Sequence, residues 1–143
     1  MSAEQIFSIC NNVALLGWIV LIVAGWKRWA AALATGAILP LLLAIVYSGL
    51  IVSHWGETPG GFGSLSAVAM LFSNHWLLLA GWVHYLAFDL FVGSWEIRDS
   101  QRLGISHWLV IPCLILTFLF GPVGLLVYFV LRLAMRRSLM VLG

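Results

Sequence analysis

The stretch from Ser73 to Asp99, SNHWLLLAGWVHYLAFDLFVGSWEIRD, is apolar enough to cross a membrane, yet it carries His75, His84, Asp89 and Glu96. Ionisable groups at membrane depth are costly, so a segment that keeps several of them points to function. On a helix, His75, Trp82, Asp89 and Glu96 are spaced by heptads and stay on one stripe, drifting about 20° per heptad. His84 lies two residues past Trp82, roughly 200° round the axis, with Phe88, Phe91 and Trp95 on its side. The helix is therefore polar on two faces. A segment meant only to anchor would not be built so.

The rest of the chain is of the same kind. Of its 143 residues, 63% are hydrophobic and 8% charged, and the mean hydropathy is +1.08. These values describe an integral membrane protein and exclude an ordinary soluble domain. The net charge is only +2, and the basic residues sit at the ends of apolar segments, which excludes a nucleic-acid-binding patch. Cys10 and Cys113 each lie inside an apolar run and read as small buried side chains, with no disulfide framework. Glu4 stands where a signal peptide would carry basic residues, so no cleavable signal is expected.

Four spans of about 20 apolar residues, each enough for a hydrocarbon core of about 30 Å, are expected at 6–25, 30–52, 76–95 and 108–133. Lys27 and Arg28 close the first. Pro40 falls inside the second and is expected to kink it. Gly56–Gly63 is a loop, and Leu65–Phe72 is too short to cross and reads as an interfacial helix or an extension of the third span. Glu96–Ser106 reads as a short polar loop, Gly121-Pro122 as a break or kink in the fourth span, and Arg132, Arg136 and Arg137 as its closing charges. The expected fold is all-α, a single integral membrane domain over 1–143: a four-helix bundle of antiparallel spans joined by short loops. Gly17, Gly25, Gly36, Gly49 and Gly81 would let helices approach closely. Orientation is contested. Lys27, Arg28, Arg98 and Arg102 fall on one side and the three C-terminal arginines on the other; weighting the first hairpin puts both termini outside the cytoplasm.

Most of the polar residues have a plain reading. His54-Trp55, His75-Trp76 and His107-Trp108 sit at expected helix ends, where an interfacial belt keeps one ring edge wet. Glu96, Arg98 and Arg102 read as a solvated loop. His84, about 13 Å below His75, is either a structural hydrogen-bonding group or part of a site, and Asp89 is either paired with an arginine or part of the same site. A four-histidine iron site fails on geometry, because His54 and His75 fall at one membrane face and His107 at the other. The reachable set is His84, Asp89, Asp99 and His107. Nitrogen and carboxylate ligands with an open position are what non-haem Fe(II) oxygenases use. His84 and Asp89 lie about 140° apart round the helix, so joint ligation needs a bend or a water.

The run Gly81-Trp82-Val83-His84-Tyr85-Leu86-Ala87-Phe88-Asp89-Leu90-Phe91, followed by Asp99, His107, Cys113-Leu114 and Gly121-Pro122-Val123-Gly124, resembles the abscisic-acid-deficient-4 (neoxanthin-synthase-like) family. The resemblance covers His75 to Arg132. It implies a small integral membrane protein acting on carotenoids, a family tied in plants to converting violaxanthin to neoxanthin. The Trp-x-His-x-x-x-x-Asp-Leu-Phe core and its followers carry over His84 and Asp89 as catalytic candidates and His84, Asp89, Asp99 and His107 as candidate metal ligands. Trp82, Tyr85 and Phe88 become candidate substrate contacts. With no transit-peptide-like N-terminus and a length of 143 residues, a bacterial relative in the inner membrane, multi-pass, is expected.

Three functions follow. The preferred one is oxidative: non-haem Fe(II), held by those histidines and carboxylates, cleaves or modifies a conjugated double bond. The second is a metal-free acid–base isomerase, in which His84 and Asp89 open an epoxide with loss of a proton to form an allene. The third is a carotenoid-binding subunit without chemistry. The partners are a carotenoid and the lipid bilayer, with no nucleic acid and self-association left open. Eight tryptophans and eight phenylalanines supply an aromatic-lined groove for a polyene.

Overall fold

The first helix begins at a capping box. Ser2 Oγ accepts from the Gln5 N–H, and the Gln5 side chain accepts from the Ser2 N–H, which satisfies amides that a helix start leaves unpaired. In this computed structural model, which describes residues 1–27, 29 and 38–136, that helix, α1, runs Ala3–Ala24. It is followed by α2 (Ile38–His54), α3 (Leu65–Leu71), α4 (His75–Leu103), α5 (His107–Phe120) and α6 (Pro122–Arg136). No strand occurs among the described residues. The expected beginning of the second span at Ala30, with Gly36, Arg28 and Arg137, lies outside them.

Only α1, with 22 residues, and α4, with 29, are long and apolar enough to cross a membrane among the described residues. The two run side by side in the same direction: Phe7 packs on Trp82 near their starts, Trp18 covers Gly93 further along, and the Gly25 carbonyl accepts from Gln101 near their ends. Helix α2 runs the opposite way, with Tyr47 against His84 and His54 stacked on Trp76 at 4.7 Å. Alternation of the first three rods is as the short links imply. Of the two readings of 65–72, the structure has a separate short helix, Leu65–Leu71, capped by Ser64, and not an extension of α4, which starts at His75.

The structure corrects two expectations in the C-terminal half. The polar stretch after Trp95 is not a loop, because α4 continues to Leu103 and stops where Gly104 takes a left-handed φ of 65°, a conformation that glycine adopts without strain. The helix need not break at Glu96 and Asp99, because their carboxyls find buried partners on α5 and α6. Nor is 108–133 one span. The chain reverses at Gly121 (φ 49°, ψ −99°), so α5 runs back along α4 and α6 returns. Thus Tyr85 meets Phe118, Asp89 meets Gly121, and Tyr128 and Arg132 both reach Asp99. The arms cross so closely at Gly124 that a Cβ there would collide with Thr117. With 14 and 15 residues, each arm is about 21–23 Å long, short of a hydrocarbon core. The described residues therefore form three rods and a helical hairpin instead of four spans. The start of α1 and the end of α6 lie at opposite ends of this bundle, and not at the same one.

The core lies where α1, α4 and the hairpin meet: Trp18, Leu21, Leu90, Ile97, Leu114 and Tyr128 are fully buried. Of the small residues expected at contacts, Gly17 and Gly25 face neighbouring helices closely and Gly81 faces Phe72, whereas Gly49 faces open space.

Candidate functional site

The heptad stripe of α4 faces α1 and the hairpin. His75 and Trp82 line an outer groove of about 590 Å³ with Ser2, Glu4 and Phe7. Trp82 and Asp89 line an inner groove of about 350 Å³, where Asn11, Asn12 and Trp18 of α1 face Tyr85 of α4 and Phe118 and Leu119 of α5. The Trp82 Nε1–H donates to Asn11 Oδ1 at 2.9 Å, and its rings lie against Phe7 and Tyr85.

Asp89 sits at the tip of the hairpin. A Cβ built on Gly121 would come within 2.8 Å of its Oδ1, so only a residue without a side chain lets the turn and the carboxyl share this space. Its Oδ2 is buried and has no hydrogen-bond partner. The Tyr85 hydroxyl, one helical turn earlier on the same face, lies beside the carboxyl and donates to the Phe118 carbonyl at 3.1 Å. A carboxyl with an unsatisfied oxygen beside a hydroxyl, walled by aromatic rings, is an arrangement able to move a proton.

A second polar cluster lies deeper in the hairpin. Glu96 has 0% exposure. It accepts from the Thr117 hydroxyl at 3.0 Å, and its Oε2 has no partner. Asp99 accepts from Arg132 Nε at 2.7 Å, from the Tyr128 hydroxyl at 2.8 Å and from Arg102 Nη2 at 2.8 Å. Glu96 is thus corrected from a solvated loop to a buried group. The stripe it shares with Asp89 was the signal; nothing local marked Thr117, Tyr128 or Arg132 as partners.

The remaining candidates lie elsewhere. His84 and Phe88 stack on each other at 4.5 Å, with His84 also against Tyr47 of α2, and both are exposed. They line neither groove, unlike Trp82, Tyr85 and Asp89. The His107 Nε2–H donates to the Ile22 carbonyl at 2.8 Å, which locks its tautomer, and its ring edge meets Trp26. His54 Nδ1 pairs with Glu57 Oε1 at 2.8 Å, and Glu57 Oε2 accepts from Asn74. These two bonds hold the Glu57 carboxyl below the usual glutamate range, the His54 contact contributing most.

These placements do not suit the expected iron site. Asp89 and Asp99 lie about 15 Å apart along one helix, beyond the reach of a shared ion. Asp99 is saturated by two arginines and a tyrosine, His107 by a carbonyl, and His84 stands on another face. No three histidine, cysteine or carboxylate groups converge among the described residues, so no step is routed through a metal.

Fold and grooves together define an all-α protein in which a helical hairpin presents its tip to a carboxyl between two helices of membrane-crossing length. Residues 5–128 match the family described as ABA DEFICIENT 4-like, and the chain belongs to that family. The match takes in α1, both grooves and the hairpin as far as Tyr128. No curated protein and no solved structure matches the chain.

Proposed function

We propose that this is a membrane-embedded carotenoid-modifying enzyme of the neoxanthin-synthase type, working by acid–base isomerisation at Asp89. The observation that carries this is the Asp89 carboxyl in the inner groove, with one buried oxygen free of hydrogen bonds and the Tyr85 hydroxyl beside it. The family's tie to carotenoids supplies the substrate class. Opening an epoxide to an allene breaks one C–O bond, adds a proton to the oxygen and removes one from a neighbouring carbon. The formula is unchanged, so no oxidant is consumed. In this reading Asp89 takes the proton from carbon and Tyr85 gives its own to the epoxide oxygen. Tyr85 then recovers a proton from Asp89. The rings of Trp18, Trp82 and Phe118 keep the polyene dry and in place.

The test is Asp89→Asn and His84→Gln, each expressed in a host that makes an epoxide-bearing xanthophyll, with membrane protein level and pigment profile measured together. Asp89→Asn is expected to keep its protein level and lose conversion, since the amide holds the shape and cannot accept the proton. His84→Gln is expected to retain conversion. Unchanged conversion by Asp89→Asn refutes the assignment.

A further inference from the structure

The two grooves share one wall, the indole of Trp82. Because α1 and α4 run in parallel, both grooves lie along the same seam. From His75 to Asp89 that seam is about 21 Å long. Its middle is aromatic, with the Trp82 rings 5.7 Å from Phe7 and 5.3 Å from Tyr85. The polar atom of the indole, Trp82 Nε1, is already satisfied by Asn11, so what the indole offers a ligand is its apolar face.

Asn12 is different. It lies next to Asn11 in the middle of α1, where apolar residues follow it as far as Ala24, and it is exposed and lines the inner groove that Asp89 also lines. An amide that far along a membrane-length helix is costly unless a partner takes up its donors and acceptor. Asn11 uses its acceptor on Trp82, and Asn12 faces the space a ligand would fill.

We infer that the grooves form one channel for a long isoprenoid chain bearing an oxygenated end ring. The ring oxygen is held by the Asn12 amide at the inner end, and the chain passes the face of Trp82 toward Glu4 and His75. This rests on the carotenoid reading above and deepens it, because it makes Asn12 the residue that selects oxygenated rings over hydrocarbon ones. A hydrocarbon ring would leave the amide unpaired in an apolar surrounding, whereas a hydroxyl or epoxide oxygen restores the bond.

The test is retention of pigment by the full chain purified in mild detergent, from cells making either a hydrocarbon carotene or its hydroxylated derivative at matched levels. Pigment per protein is read by absorbance, and conversion of an epoxide-bearing pigment is followed in parallel. Wild type is expected to retain the hydroxylated pigment roughly tenfold better, the worth of one buried hydrogen bond. Asn12→Leu should fold and lose that preference, and Trp82→Ala should lose both pigments. Equal retention of the two pigments by wild type would mean that the groove accepts any apolar chain, and it overturns the proposal. So does a preference that survives Asn12→Leu, or a wild type that retains neither pigment. If selectivity depends on Asn12 while no pigment is converted, the catalytic reading falls and the channel stands. If pigment is converted without any Asn12-dependent selectivity, the channel falls and the catalytic reading stands.

Discussion

Replacing Arg132 by Met keeps most of its volume and removes its charge. Arg132 is 1% exposed and sits on Asp99, whose side chain is 2% exposed. Losing one member of a buried pair leaves the other charge uncompensated and costs about 3–5 kcal/mol. Here Asp99 keeps the Tyr128 hydroxyl and Arg102, which places the expected loss near the lower end, about 3 kcal/mol. Arg102 reaches the same carboxyl with a side chain that is 41% exposed, so Arg102→Met is expected to cost no more than about 1 kcal/mol. The double variant Asp99→Leu/Arg132→Met removes both buried charges, takes the carboxylate from the Tyr128 hydroxyl and from the partly exposed Arg102, and is expected to cost about 1–3 kcal/mol, less than Arg132→Met alone. The assay is unfolding by sodium dodecyl sulfate in mixed micelles, followed by tryptophan fluorescence. Trp95 lies 5.4 Å from Tyr128 and 5.6 Å from Phe129, so it reports the release of α6. If Arg132→Met is no worse than Arg102→Met, or the double variant is worse than the single, the hairpin is not held by this carboxylate.

Gly121→Ala adds a methyl within 2.8 Å of Asp89 Oδ1 at a φ of 49°. It is expected to cost at least about 1–2 kcal/mol from backbone strain and to reduce pigment conversion beyond the fall in folded protein. Glu96→Gln keeps an acceptor for Thr117 without a buried charge, so its unfolding midpoint should equal or exceed wild type, while Glu96→Ala should fall below it. Glu57 has its carboxyl lowered from 4.5 in the fold. Its contribution to stability is therefore complete above pH 4.5 and is lost as the pH falls through the lowered value. Glu57→Gln should flatten that acid limb of a stability–pH curve and leave the neutral region unchanged.

Periodicity alone put Trp82, Asp89 and Glu96 on one stripe, and they face α1 and the hairpin together. The same arithmetic put His84 on another face, where it meets Tyr47 instead of Asp89. The run EIRDSQR misled because polar composition reads as loop, whereas burial depends on partners more than twenty residues away in sequence, Thr117 for Glu96 and Arg132 for Asp99. Gly121-Pro122 was visible as a break, but a break does not reveal its angle. Full reversal requires the left-handed φ at Gly121 and the close crossing at Gly124, both set by tertiary packing. Asn11 and Asn12 went unremarked because one amide in a hydrophobic run carries no periodic signal.

In the membrane-embedded enzyme proposed above, a hairpin that turns at mid-depth spares its arginines the journey across a bilayer. With α6 returning to the end of α4, Lys27, Arg98, Arg102 and Arg132 gather at one end of the bundle, and Arg28, Arg136 and Arg137 lie close to them in sequence. Those are all seven basic residues of the chain. The other end is formed by the start of α1 and the link from Trp55 to Asn74, and neither stretch contains a lysine or arginine. Inserted in that way, the chain keeps its described lysine and arginines on one side, and the positive-inside tendency, which four antiparallel spans divide, gives a single answer. A cysteine placed at Gly61 should react with an impermeant thiol reagent applied to the outside of intact cells, and one at Ser106 only after the membrane is opened.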